Sequence, residues 1–173
     1  LDRFGRLRRN NLGAVCGLTD GGGGESVLIC DVCAAVGIEV PPLTEKTGRE
    51  LVEIIGRVGS VLSNPVDMSQ CQSIPEKVEW AMDLVAGEPQ IDVLLIYESA
   101  GVILDFYPRE VTDAVNEAIL GFAQRKIKPV VLVLPHGPAE TRRGEIEQRF
   151  IGAGVPVFSS IERAARAIRN VCH

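Results

Sequence analysis

Residues Ile91–Ser99 read "IDVLLIYES", and from Val93 to Tyr97 the run is apolar and aromatic without a break. A strand with one wet face alternates apolar and polar residues. A near-continuous apolar strand has both faces covered, which is the condition of a parallel strand between two helical layers. "KPVVLVLP", Lys128–Pro135, repeats the pattern. Between the two lies "PREVTDAVNEAILGFAQRK", Pro108–Lys126, an amphipathic segment with acids early and "RK" late, as suits the helix dipole. Strand, helix and strand in that order predict parallel pairing through a right-handed crossover.

Working outward, the same alternation runs through the chain. "TRRGEIEQRFIGAG" reads as a helix ending in glycine and "VPVFSS" as a strand, and Ser160 caps a last helix, "IERAARAIRNVC". Toward the N-terminus, "LGAVCGLT" is a buried strand and "GESVLICDVCAAVG" a helix stopped by Gly37. "TEKTGRELVEIIGRVG" is a helix capped by Thr44, "SVLSNPVDM" a short extended piece, and "SIPEKVEWAMDLVAG" a helix with Ser73 as cap, Pro75 in its first turn and Glu76 completing a capping box. The expected fold is a three-layer α/β/α domain, flavodoxin-like, with a mainly parallel sheet. It is expected to occupy residues 11–173 as a single unit, with residues 1–10 a basic lead-in or linker carrying Arg3, Arg6, Arg8 and Arg9.

At 173 residues, with a hydrophobic share of 46% and a formal net charge of -5, the chain suits one soluble domain and does not suit nucleic acid as a main partner. No apolar run approaches the roughly 20 residues of a membrane helix, and no signal peptide is visible, so no membrane partner and a cytoplasmic setting are expected. A first residue of Leu1 rather than methionine fits a fragment of something longer. The five cysteines are an odd number; Cys30 and Cys33 form a C-x-x-C inside a helix with no second pair for zinc, so they are expected to be buried thiols of a reducing compartment, and no metal site is expected.

In an open parallel sheet, ligands gather at the carboxyl ends of the strands. Directly after the first strand comes "TDGGGGES", Thr19–Ser26. A helix N-terminus presents free amides and partial positive charge, so glycines there let an anion, above all phosphate, approach the backbone. The spacing is neither a dinucleotide fingerprint nor a Walker loop. A flavin phosphate loop would want more hydroxyls than Thr19 and Ser26, so FMN binding is the weakest reading, and a mobile turn stays open beside the phosphate site.

Three further stretches carry a resemblance: "SNPVDM" (Ser63–Met68), "KPVVLVLP", and "GAGVPVFSSIERAARAI" (Gly152–Ile168). Together with the glycine loop running into "VLICD", which is similar to a "GGxGVLxxD" segment, they resemble NDP-forming acyl-CoA synthetases, relatives of succinyl-CoA synthetase. The resemblance extends over the chain from about Leu12. Such enzymes interconvert an acyl-CoA and a nucleoside triphosphate through a phosphorylated histidine. One of their flavodoxin-like domains carries that histidine in an "SHTG"-type segment. The other, with "NPVD", receives the phosphohistidine at a glycine-rich helix N-terminus, and this chain resembles the second.

The resemblance implies that Gly22, Gly23 and Gly24, with Glu25 and Ser26, form the phosphate- or phosphohistidine-binding segment, acting as amide donors rather than bond-makers. Thr19, Asp20, Asn64, Pro65 and Asp67 would form the rim. Pro65 disfavours helix at Asn64, and Asn64 and Asp67 are able to bond local backbone, so a purely structural turn stays open for both. Asp20 and Glu25 set carboxylates on either side of the glycines and would repel a phosphate unless a cation or basic group intervenes. Of two histidines, His173 is terminal and His136, in "LPHGPAE", follows a strand at the sheet's carboxyl end. Glu140, Arg142 and Arg143 read as a charged rim near it or as a solvated helix start.

No nucleophile–base pair or nucleotide loop suffices for a complete reaction, so no catalytic residue and no cofactor is assigned to the chain itself. The resemblance implies partner domains, in cis or in trans: a CoA-binding and histidine domain and an ATP-grasp domain. The full enzyme would then use CoA, ATP/ADP or GTP/GDP, phosphate and Mg2+. Homo-oligomerisation is compatible with it. The contrasting reading is a non-catalytic interaction module that kept the fold and lost the site.

Overall fold

The structure is a computed structural model that describes residues 15–19, 23–56, 63–99 and 106–172. Its elements in chain order are β1 (Val15–Thr19), α1 (Gly23–Ala35), α2 (Glu45–Ile55), β2 (Val66–Asp67), α3 (Pro75–Ala86), β3 (Val93–Tyr97), α4 (Arg109–Gln124), β4 (Val130–Val133), α5 (Glu140–Gly152), β5 (Val157–Phe158) and α6 (Ile161–Cys172). The strands form one sheet in the order β2-β1-β3-β4-β5, and every pairing is parallel. This is the strand order of flavodoxin-like doubly wound domains, so the expected fold class stands.

The strand period of two divides β3 and β4 between the layers. Leu94, Ile96, Val130, Leu132 and Leu134 pack with the buried faces of α2, α3, α4 and α5. Val93, Leu95, Val131 and Val133 face the other way, into a smaller cluster with Ile29 and Cys33 of α1 and Ile161, Ala164, Ala165 and Ile168 of α6. Each such leucine, fully removed from water, contributes about 1.5–3 kcal/mol. That is why unbroken apolar runs mark the strands.

Local chemistry sets the helix ends. Thr44 caps α2, its hydroxyl accepting from the Thr47 amide at 3.3 Å. Glu88, only 3% exposed, braces the same cap by accepting from the Thr44 amide and hydroxyl at 3.1 and 2.6 Å. Gly37, with φ of 72°, closes α1, and Ser160 accepts from the Arg163 amide at 3.4 Å to open α6. Two expected ends differ. Ser73 does not cap α3: with Pro75 opening the helix, the boundary residue is extended Ile74, which offers no side-chain acceptor. Arg125 and Lys126 lie beyond α4 rather than in its last turn; Arg125 instead pairs with Asp83 of α3 at 2.8 Å, and Lys126 takes a φ of 54°.

Cys33 and Cys71 are buried free thiols, each pushed up to about 11 chiefly by burial, whereas Cys30 is only half-buried. Among the described residues, no helix is long and apolar enough to cross a membrane. Residues 1–10 lie outside the described residues.

Candidate functional site

The register brings the carboxyl ends of the strands to one edge. Thr19 is paired with Asp67 on one side and Tyr97 on the other, Tyr97 with Val133, and Val133 with Phe158. The chain leaves β1 for β2 on one side and returns to β3 on the other, so the strand order reverses at the β1–β3 boundary. In such sheets that is where a crevice for ligands opens.

The first turn of α1 stands after β1 at this edge. Gly23 and Gly24 are exposed, and a Cβ built on either would meet nothing within 4 Å. The rest of the described chain therefore does not require glycine there. Glu25 is half-exposed in the same turn, while Ser26 is 5% exposed and turned into the protein. Gly22 and Asp20 lie outside the described residues, and of Thr19 only the backbone pairing is described.

Asn64, Pro65 and Asp67 reach the same edge through β2. The Asn64–Pro65 peptide is cis. Asn64 is 8% exposed and donates through Nδ2 to the Pro41 carbonyl at 2.9 Å; Asp67 is 2% exposed and accepts from the Ser69 amide at 2.9 Å. These bonds tie the segment to the loop before α2 and fix its own turn. The register then sets Asp67 beside Thr19, at the root of the glycine loop.

His136 follows β4, so one strand, β3, separates its end of the sheet from β1. It is exposed, with Nδ1 at 3.0 Å from Glu140 Oε1. The same oxygen accepts from Arg143 Nε at 2.8 Å, and Arg143 also pairs with Glu147 at 2.9 Å. Arg143 is 7% exposed, so it is no solvated helix start; it is the buried anchor of an ion-pair chain. Its hydrogen bond holds the Glu140 carboxyl below the usual carboxylate range.

One group escapes a reading from sequence. Glu98, directly after β3, is 3% exposed, and neither carboxylate oxygen has a hydrogen-bond partner. Burial pushes its pKa up to about 7, while the facing Asn116 side chain and the Arg142 charge draw it down. Asn116 is itself fully buried, donating to the Thr112 carbonyl at 2.9 Å and leaving Oδ1 without a partner. The one available signal was an acid closing an otherwise apolar run. Among the described residues, no group of three or more His, Cys, Asp or Glu is placed to hold a metal ion.

No protein family matches the chain, and no curated protein does. Solved structures do. A crystal structure of a Pyrococcus horikoshii OT3 protein superposes with a TM-score of 0.76 at 22% identity, over 96% of this chain and 36% of that one. Dinucleotide forming acetyl-coenzyme A synthetase 1 of Ca. Korarchaeum cryptofilum superposes in its apo form with a TM-score of 0.72 at 18% identity, over 98% of this chain and 35% of that one. The same synthetase in complex with phosphate and ADP gives 0.71 at 18% identity, over 98% and 34%. At these identities the likeness is one of fold. The chain spans about a third of the length of the structures it matches.

Proposed function

We propose that this chain is a domain or subunit of an NDP-forming acyl-CoA synthetase and that it docks the phosphohistidine of a partner domain at the N-terminus of α1. The observation that carries the reading is the pairing of Thr19, the residue before the glycine run, with Asp67 of the "NPVD" turn at the sheet's carboxyl edge. Two stretches far apart in sequence, both shared with that family by resemblance, thus meet where a doubly wound sheet binds ligands. The room that a Cβ would find at Gly23 and Gly24 among the described residues supports it further, since no described side chain demands glycine there.

In this role the chain breaks no bond. The amides of Gly22, Gly23, Gly24, Glu25 and Ser26 donate toward phosphoryl oxygens, helped by roughly half a positive charge at the helix N-terminus. Asn64, Pro65 and Asp67 hold the rim beside them. CoA, the nucleotide and Mg2+ belong to the partner domains, which fits a chain about a third the length of its synthetase neighbours. Residues 11–173 form the docking domain and residues 1–10 the lead-in, in a cytoplasmic enzyme.

The test is a titration of the chain with the phosphorylated histidine domain of its own enzyme. Gly23→Asp adds bulk and negative charge in the first turn and should weaken binding at least tenfold; equal binding by both proteins would remove the proposal. Glu25 favours a second reading, an interaction module that no longer receives phosphate, because it adds a negative charge to the first turn of α1. In that case Gly23→Asp leaves the activity of the full assembly unchanged.

A further inference from the structure

The Glu98 cluster lies on the opposite side of the sheet from α1. Leu94 and Ile96 point into the layer of α2 to α5, and Glu98 continues that alternation. There it faces Asn116 of α4 and the charge of Arg142 of α5, which itself reaches Thr112 of α4; the neighbouring strand brings apolar Leu132 and Leu134. Arg143 comes near through the Leu134 carbonyl at 3.5 Å, but its guanidinium is committed to Glu140 and Glu147. Arg142 is thus the cation in reach, and it donates to Thr112 Oγ1, a hydroxyl that itself donates to the Arg109 carbonyl at 2.9 Å.

A carboxylate without hydrogen bonds in such a place is costly when ionised and tolerable when protonated. Its ionised form needs the guanidinium that Thr112 now holds. We propose that Glu98 and Arg142 form a proton-controlled switch: with Glu98 protonated Arg142 stays on Thr112 between α4 and α5, and with Glu98 ionised it turns inward onto the carboxylate. The switch sets the direction of a positive charge in the first turn of α5, two residues after Glu140, at the sheet's carboxyl edge. It does not depend on the docking function proposed above.

The folded-state pKa of Glu98 lies above its ordinary value of 4.5, at about 7. The folded state therefore holds the proton more tightly than the unfolded chain, and its stabilising effect is lost as pH rises between those values. Carbon-13 NMR of the Glu98 carboxyl in the unmodified chain should titrate near neutrality, and the Arg142 Nε–H resonance should move with the same midpoint. In Glu98→Gln the Arg142 resonance should stay fixed over that range. Thermal unfolding supplies a second readout: Glu98→Gln should match the unmodified protein at pH 4, below the unfolded-state value, and exceed it at pH 8. Arg142→Gln should be more damaging at pH 8 than at pH 5, and equally damaging at both in the Glu98→Gln background. A Glu98 midpoint in the ordinary carboxylate range, or an Arg142 resonance that ignores it, overturns the switch.

Discussion

Gly23 and Gly24 separate a structural role from a functional one, because nothing in the described chain occupies the space a Cβ would take. Alanine at either position should leave the fold intact and stabilise α1 by up to about 0.5–1 kcal/mol, since glycine loses more backbone entropy in a helix. Thermal unfolding checks this: Gly23→Ala with an undiminished Tm, alongside weaker docking of a phosphorylated partner, points to close approach by a visitor. Glu25 belongs to the same turn and acts in the opposite direction. A like charge in the same helix turn at a surface site costs on the order of 1 kcal/mol, so Glu25→Gln should tighten phosphoryl docking about fivefold. Isothermal titration at low salt reads that change, and high salt should erase it.

At the scale of elements, α2 illustrates how a buried acid holds a helix in place. Burial works to raise the Glu88 pKa, and hydrogen bonds from Thr44, Thr47 and Gln90 outweigh it, so the group is held below its usual value. Its contribution is present above the unfolded-state pKa and lost as pH falls through the folded one. Glu88→Ala should cost about 1.5–3 kcal/mol by releasing the Thr44 cap, read as a lower denaturant midpoint with an unchanged slope. The strands and most helices were legible because their apolar periods report burial directly. Ser73 was misread because a capping box looks the same whether or not a proline moves the boundary by one residue. Arg125 was misread because helix-end charge patterns do not reveal that Asp83 on a neighbouring helix is a better partner. Glu98 was illegible for a related reason: an acid after a strand reads as a wet strand end until α4 and α5 close over it.

Over the whole molecule, the two layers meet on β3 and β4, and the larger core lies under α2 to α5. Leu132→Ala, at a fully buried position of that core, should cost about 2–5 kcal/mol, measured by chemical denaturation. The sheet order that places this core also decides where a ligand can sit, and to that extent the position of the candidate site was legible from strand–helix alternation. The meeting of Thr19 with Asp67 was not, because it depends on which strands pair. In the proposed role, α1 receives a phosphoryl group carried by another domain. Amide chemical-shift mapping tests it most directly, with the histidine domain of the same enzyme added in phosphorylated and unphosphorylated form. Saturable shifts at Gly23, Gly24, Glu25 and Ser26 with the phosphorylated form alone are the predicted result. Shifts at those amides that are the same with both forms, or absent with both, would contradict it.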